Sequence, residues 1–311
     1  MNIQQFQYIV ALAENRHFVK ASEQCFISQS TLSTMISKFE DEIGLKIFDR
    51  SKKPVELTSE GERILEQIKM IQREIGQLEE MTKEIKGEVK GTLSIAVIPT
   101  IAPFLLPLFL QSFAKKFPNL SIQVKEQTTG EILRQLSSRE LDIGIVSTPL
   151  VQKDVVEYPL YHEPFMFYNA GEERQDQLTA DSMDVSNLCL LEEGHCMRTQ
   201  VVNLCDLHKL NLRSTLNFDY KAGSIDSLLR FVKANKASTL LPFLATLEMS
   251  EEERERLSAF AKPVPFRTIG LAVHKHFVKH KILEVMKESI LKEVSQVLPN
   301  GEPKGEQLLP I

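Results

Sequence analysis

Residues 59–87 read as one uninterrupted amphipathic helix, and no other stretch limits the possible folds so much. A Ser59-x-x-Glu62 capping box opens it, and Gly87 and Gly91 mark its end. Ile64, Ile68, Ile71, Ile75, Leu78 and Ile85 follow at alternating steps of four and three, with Thr82 in the one gap. That spacing is a heptad seam. Roughly 28 residues at about 1.5 Å each give a helix of about 42 Å. A charged rod with a narrow apolar stripe suits pairing with a second such helix better than packing along its own domain. It also divides the chain into a short part before it and a long part after it.

The part before it, residues 1–58, reads as short helices. Phe6, Ile9, Val10 and Ala13 recur at helical spacing, and "KASEQCF" gives a second helix carrying Ala21 and Cys25. Ser28 is an N-cap for a third, with Leu32, Met35, Ile36, Phe39 and Ile43 on one face and Gly44 at its end. "LKIFDRSKKPVELT" alternates around Lys52-Lys53-Pro54, the pattern of a two-stranded wing. Helix, turn, helix and wing point to DNA, yet residues 1–58 hold seven Lys/Arg against seven Asp/Glu, and the whole chain carries a net charge of -5. Affinity for double-stranded DNA must therefore come from arrangement rather than from bulk charge. Ser28, Gln29, Thr31, Ser33 and Ser37 begin or face the third helix and are candidates for base edges or phosphates. Lys38, Arg50, Lys52 and Lys53 are candidates for phosphates.

After Gly91 the pattern becomes α/β. "TLSIAVIPT", "LSIQVKEQT" and "DIGIVST" are strands separated by helices, which predicts βαβ units and a mostly parallel sheet. A second run begins at "EPFMFYNA" and continues through "LCLLEEGHC", the helix "SIDSLLRFVKANK" and the strand "STLLPFLA". "RTIGLAVHK" and a closing amphipathic helix look able to rejoin the first run. Two lobes result, lobe I at about 91–162 and 268–298 and lobe II at about 163–267. Residues 299–311, rich in Pro, Gly and Glu, are expected to form a flexible tail.

The 311 residues suffice for two or three domains, with 42% apolar and 25% charged residues. The N-terminus carries no secretory pattern, and no window approaches about 18 continuous apolar residues, so a membrane role is not expected and the cytoplasm is. Four cysteines in a reducing compartment argue against a structural disulfide. Neither a Gly-rich phosphate loop nor a nucleophile triad is present, so an enzyme is not expected and no cofactor is implied.

"LEEGHCMRTQVVNLCDLHK" places Cys196 and Cys205 nine positions apart. Two readings stay open from these residues: a redox pair, or a zinc site made with His195 and His208. Adjacent His-Cys ligands are awkward for zinc, so no metal is assigned. Cys25 and Cys189 read as small core residues. For a redox thiol, His195 and Arg198 are the neighbouring groups that would favour the thiolate. The other histidines, His17, His162, His274, His276 and His280, do not cluster in the sequence.

"AENRHFVKASEQCFISQSTLSTMISKFEDEIGLKIFDR" followed by "LTSEG" resembles the DNA-binding region of the LysR-type transcriptional regulators. Ser30 stands where many members have proline at the first turn of the recognition helix. The resemblance implies a winged helix-turn-helix over 1–58, a linker and dimerisation helix over 59–90, and a two-lobed, periplasmic-binding-protein-like α/β regulatory domain over 91–298. "IPT" with Thr100, "EQTT" with Thr129, "LLEEGHCMRTQ" with His195 and Cys196, Cys205, and "RTIGL" with Arg267 are similar to the peroxide-sensing branch of that family. "HKLNLRSTLNFDYKAG" and "KASTLLP" depart from it.

That likeness implies an activator of oxidative-stress genes, with Cys196 the peroxidatic and Cys205 the resolving thiol. Thr100, Thr129, His195 and Arg267 would surround hydrogen peroxide. The implied partners are DNA promoter sites, a second copy in a dimer or tetramer, RNA polymerase, and a thiol-reducing protein such as glutaredoxin or thioredoxin. Met197, Val201 and Leu204 fall at helical spacing, so a Cys196–Cys205 bond would have to break a helix. The alternative function is a regulator that binds a small effector in the cleft between its lobes.

Overall fold

The computed structural model describes residues 1–176, 178–204, 221–299 and 305–310. They form two compact units, Met1–Lys86 and Gly87–Ile311.

The first unit opens with α1 (Ile3–Asn15), whose N-cap Asn2 and N3 residue Gln5 form a reciprocal capping box. Helix α2 (Phe18–Gln24) and helix α3 (Gln29–Ile43) follow. Strands β1 (Phe48–Asp49) and β2 (Glu56–Leu57) pair antiparallel as the wing. Helix α4 (Ser59–Ile85) begins one residue earlier than its sequence suggests: Thr58 is the N-cap, and its Oγ1 accepts from the Gly61 N–H at 2.9 Å. Thr58 outcompetes Ser59 because its hydroxyl also donates to the Lys46 carbonyl at 2.6 Å, tying the helix start to the wing. Gly61 is needed there, since a Cβ would collide with the Ile47 carbonyl. The core joins Phe6, Ile9, Leu12, Ala21, Leu32, Ile36, Phe39 and Ile47 to Leu65 and Ile68 of α4. Farther along α4, the seam residues Leu78 and Ile85 are 64% and 80% exposed.

In the second unit, β3 (Gly91–Val97), α5 (Ala102–Lys116), β4 (Leu120–Glu126), α6 (Thr129–Ser137) and β5 (Ile143–Thr148) alternate. Strand β3 pairs parallel with β4 and with β5. Strand β6 (Val155–Asn169) then runs for 15 residues. After it come α7 (Cys196–Leu204), α8 (Ile225–Ala234), β7 (Ser238–Pro242), a 3-10 turn (Phe243–Thr246), α9 (Glu251–Arg254), β8 (Leu257–Ala259), β9 (Phe266–His274) and α10 (His280–Val294).

The sheet order is β4-β3-β5-β9-β6-β7, with β8 also on β6. Every pairing of β6 and β9 with another strand is antiparallel, so the expected mostly parallel sheet is confined to β4, β3 and β5. The physical reason is the return of the chain. Strand β9 runs back beside β5, and α10 packs against α5, where Lys116 Nζ donates to Ser289 Oγ at 2.9 Å. Strand β6 serves both lobes, lying on β9 through Val155–Pro164 and on β7 and β8 through Phe165–Asn169. One apolar cluster centres on β3, β5, β9, α5 and α10, and a second on β7, α8 and the far half of β6. The run at Leu188–Glu192 forms only single bridges, Leu188 to Ser238 and Leu191 to Ala222, not a strand.

In place of a free tail, residues 305–310 lie along β9. Phe266 N–H donates to the Glu306 carbonyl at 3.0 Å, and Leu308 N–H donates to the Phe266 carbonyl at 2.7 Å. Leu308 is buried, and Gly305 is required because a Cβ would strike the Val264 backbone. Backbone pairing needs no side-chain pattern, so composition alone did not announce it.

Candidate functional site

The DNA-reading candidates sit at the start of α3. Ser28 is its N-cap, accepting from the Thr31 N–H at 3.1 Å and bonding Ser30 Oγ and Thr31 Oγ1. Leu32, Ile36, Phe39 and Glu40 turn inward. Thr31, Thr34 and Lys38 therefore share the exposed face, while Ser33 and Ser37 flank it half-buried. Gln29, Lys52 and Lys53 are exposed. Arg50 is exposed and held by partners within the unit. Its Nη2 donates to Glu40 Oε2 at 3.1 Å, its Nη1 donates to Ser33 Oγ at 3.2 Å, and its guanidinium lies over the Phe18 ring. Glu40 is buried, and its Oε1 accepts from the N–H groups of Ile47 (2.9 Å) and Phe48 (3.2 Å). One carboxylate thus fastens the wing to α3. Glu40→Ala is expected to destabilise the first unit by about 2–4 kcal/mol, since it leaves the buried N–H groups of Ile47 and Phe48 without an acceptor. Thermal unfolding and a DNA titration check this, with affinity falling although no exposed residue changes.

In the second unit, Cys196 opens α7 directly after Gly194, whose φ of +96° suits glycine, and His195. Cys196, Met197, Gln200 and Val201 form the inward face of α7. Met197 and Val201 enter the lobe II cluster, whereas Cys196 joins the lobe I cluster. The thiol is therefore held where the two cores meet, and it is 7% exposed. Burial pushes its pKa up. Acting against burial are the Arg267 charge, the Thr129 hydroxyl, and the backbone N–H groups of Met197 and Cys196 at the helix start.

Arg267 on β9 is 1% exposed and lies opposite Glu163 of β6 in register. Its Nε donates to Glu163 Oε2 at 2.8 Å, and its Nη1 donates to Thr100 Oγ1 at 3.0 Å. Thr100 is buried in the turn after β3, and Thr129 is the first residue of α6. Thr129 Oγ1 is shielded from solvent and makes no hydrogen bond of ordinary geometry among the described residues, although its hydroxyl acts on the Cys196 thiol to lower its pKa. Tyr161 Oη on β6 is equally buried and has no partner among the described residues, and burial together with Glu163 drives its pKa well up. These unused hydrogen-bonding groups are what a small polar guest needs.

Two sequence candidates for tuning the thiol have other partners. Arg198 Nη1 donates to the Leu191 carbonyl at 2.8 Å, and His195 Nε2 lies 3.8 Å from Glu192 Oε1. Cys25 and Cys189 pack against apolar clusters, and burial raises both thiols. Cys205 and His208 lie outside the described residues.

Sequence reasoning missed Glu163, Tyr161, Glu40, Thr34 and Gln200. A lone carboxylate inside the apolar run "YHEPFMFY" was the available signal for Glu163. Gln200, one helical turn after Cys196, donates from Nε2 to Ser147 Oγ at 3.1 Å and to the Leu308 carbonyl at 2.7 Å. The tail thus clasps the helix that carries the thiol.

Residues 3–62 match the bacterial regulatory helix-turn-helix protein of the lysR family, and residues 86–295 match the LysR substrate binding domain. The chain belongs to the LysR family of bacterial transcriptional regulators. Membership makes it a DNA-binding regulator rather than an enzyme. The chain is 33% identical to the DNA-binding transcriptional dual regulator OxyR of Escherichia coli K12 over 274 residues, 87% of this chain and 88% of that protein. It is 30% identical to the hydrogen peroxide-inducible genes activator of Haemophilus influenzae over 301 residues, 96% of this chain and 99% of the relative. Among solved structures it is similar to full-length OxyR from Pseudomonas aeruginosa carrying a cysteine-to-aspartate substitution, with TM-score 0.69 and 30% identity, covering 94% of this chain and 98% of that one. It is also similar to a hydrogen-peroxide-bound OxyR cysteine-to-serine mutant from Corynebacterium glutamicum, with TM-score 0.62 and 26% identity, covering 95% and 93%. Among the described residues, no helix of this LysR-family chain is long and apolar enough to cross a membrane.

Proposed function

We propose that this LysR-family regulator senses hydrogen peroxide through Cys196. The observation that carries the reading is a buried thiol at a helix start, beside the Arg267 guanidinium and the Thr129 hydroxyl, which has no partner of ordinary geometry among the described residues. A Cys196 thiolate attacks one peroxide oxygen, the O–O bond breaks, and hydroxide leaves. Donors such as Arg267 and the hydroxyls of Thr100 and Thr129 stabilise the charge growing on that leaving oxygen. The sulfenic acid then condenses with the thiol of Cys205, losing water and forming a disulfide. His195 precedes the reacting sulfur and belongs to the same pocket. A thiol-reducing protein of the glutaredoxin or thioredoxin kind returns the pair to thiols.

The exposed Leu78, Met81 and Ile85 of α4 support pairing with a second copy, giving a dimer or tetramer with spaced half-sites on promoter DNA. Thr31, Thr34 and Lys38 face the bases and phosphates, with Ser28, Gln29, Ser33, Ser37, Lys52 and Lys53 around them. RNA polymerase is the partner through which oxidised protein activates transcription.

Because burial raises the Cys196 pKa, the thiol is mostly protonated near neutrality and the thiolate fraction grows with pH. The peroxide rate constant is expected to climb about tenfold per pH unit from pH 6 to 8, measured by stopped flow. The proposal itself is tested with Cys196→Ser, which is expected to abolish transcription induced by peroxide. An unchanged response would overturn it.

A further inference from the structure

Arg267 is the charge that most favours the Cys196 thiolate, yet it is not a free cation. Its Nε donates to Glu163 Oε2 at 2.8 Å, and Nη2 lies 2.8 Å from the same oxygen. Its Nη1 donates to Thr100 Oγ1 at 3.0 Å, and its Nη2 donates to the Thr100 carbonyl at 3.1 Å. A guanidinium has five N–H donors. These contacts leave one hydrogen, on Nη1, without a protein acceptor among the described residues.

Glu163 is wholly buried, and its other oxygen accepts from the Leu244 N–H at 2.8 Å. Both of its oxygens are occupied, so it cannot turn toward the sulfur or toward a guest. It acts only through Arg267. A buried ion pair acts on a third group as a dipole rather than as a full charge, and the low-dielectric interior magnifies the difference.

We propose that Glu163 is a positioning residue that sets the sensitivity of Cys196: it fixes the Arg267 fork so that one Nη1–H stays open to the reacting oxygens, and it offsets the guanidinium charge at the sulfur. The inference rests on Cys196 as the reacting thiol. An unpaired Arg267 would keep more Cys196 as thiolate and make the regulator fire at lower peroxide. With Glu163 in place the resting thiol stays protonated, which gives the switch a threshold. The other titratable groups around the site are Tyr161 on β6, whose raised pKa keeps it neutral, and His195 with Glu192 before α7.

The test uses the full chain with Cys25, Cys189 and Cys205 replaced by serine. Iodoacetamide alkylation of Cys196 is followed against pH, and peroxide oxidation is followed separately. Glu163→Gln is expected to move the alkylation midpoint down by about one pH unit, so that the rate at neutral pH rises about tenfold. Glu163→Asp, which keeps the carboxylate, returns the midpoint toward that of the unaltered residue. The paired change Glu163→Gln with Arg267→Gln leaves no unpaired buried charge and, lacking the guanidinium through which Glu163 acts, gives a midpoint at or above the parent's, which serves if Glu163→Gln alone does not fold. A folded Glu163→Gln chain whose midpoint stays put or rises overturns the proposal, as does a paired variant whose midpoint falls by about one unit, since Glu163 would then act without Arg267. Absence of peroxide reaction in the parent chain would instead sink the peroxide reading, while alkylation still reports on Glu163.

Discussion

Arg267→Met is expected to destabilise the second unit by about 3–5 kcal/mol. The substitution keeps most of the volume and removes the only partner that Glu163 Oε2 has among the described residues, a carboxylate with no exposure to water. It also takes the donor from the buried Thr100 carbonyl. A charge left alone in the interior costs far more than the pair was worth, so the loss measures stranding rather than attraction. Adding Glu163→Gln in the same chain is expected to recover most of it, leaving a deficit of about 1–2 kcal/mol. Urea midpoints of the three chains check both statements. A loss below about 1 kcal/mol for Arg267→Met would mean that water reaches the pair.

The second large effect concerns α7. Cys196 and Leu204 bound this helix, and at about 1.5 Å per residue their Cα atoms stand about 12 Å apart. A disulfide holds Cα atoms within about 4.4–6.8 Å, so a Cys196–Cys205 bond requires the helix to open. Gln200 then loses its bonds to Ser147 and to the Leu308 carbonyl, and the tail along β9 loses its clasp. Hydrogen exchange of the amides of Gln200–Leu204 is expected to accelerate by about two orders of magnitude on oxidation, with residues 305–310 following. Exchange rates that match in the two redox forms would leave the disulfide without a structural consequence.

Local signals in this chain were readable and long-range ones were not. The cap at Ser28, the apolar face of α3, the heptad steps of α4 and the helical spacing of Met197 and Val201 depend on neighbours within a few residues, and all are present in the fold. The ion pair of Glu163 with Arg267 joins residues 104 positions apart, and its register depends on how β6 and β9 align. Nothing in either segment alone specifies that alignment. Arg50 shows the same dependence: a basic residue beside a wing suggests phosphate, and only the fold brings buried Glu40 against it. Arg198 looked like a neighbour of the thiol, yet a residue two places along a helix points elsewhere, here to the Leu191 carbonyl. The tail misled because Pro, Gly and Glu argue against a core, while its anchorage comes from backbone bonds and one apolar side chain, Leu308. For the pocket, the sequence offered Thr100, Thr129 and Arg267 through resemblance, but not the oxygens of Thr129 and Tyr161 that lack partners among the described residues, which only packing reveals.

The proposed switch starts from one chemical event at one sulfur. Intact mass and peptide mapping of the full chain, before and after one equivalent of hydrogen peroxide, test it most directly. The expected result is a loss of about 2 Da and a linked peptide pair containing Cys196 and Cys205, absent in the Cys196→Ser chain. A chain that keeps all four thiols, or one whose bond joins Cys25 or Cys189, would contradict it.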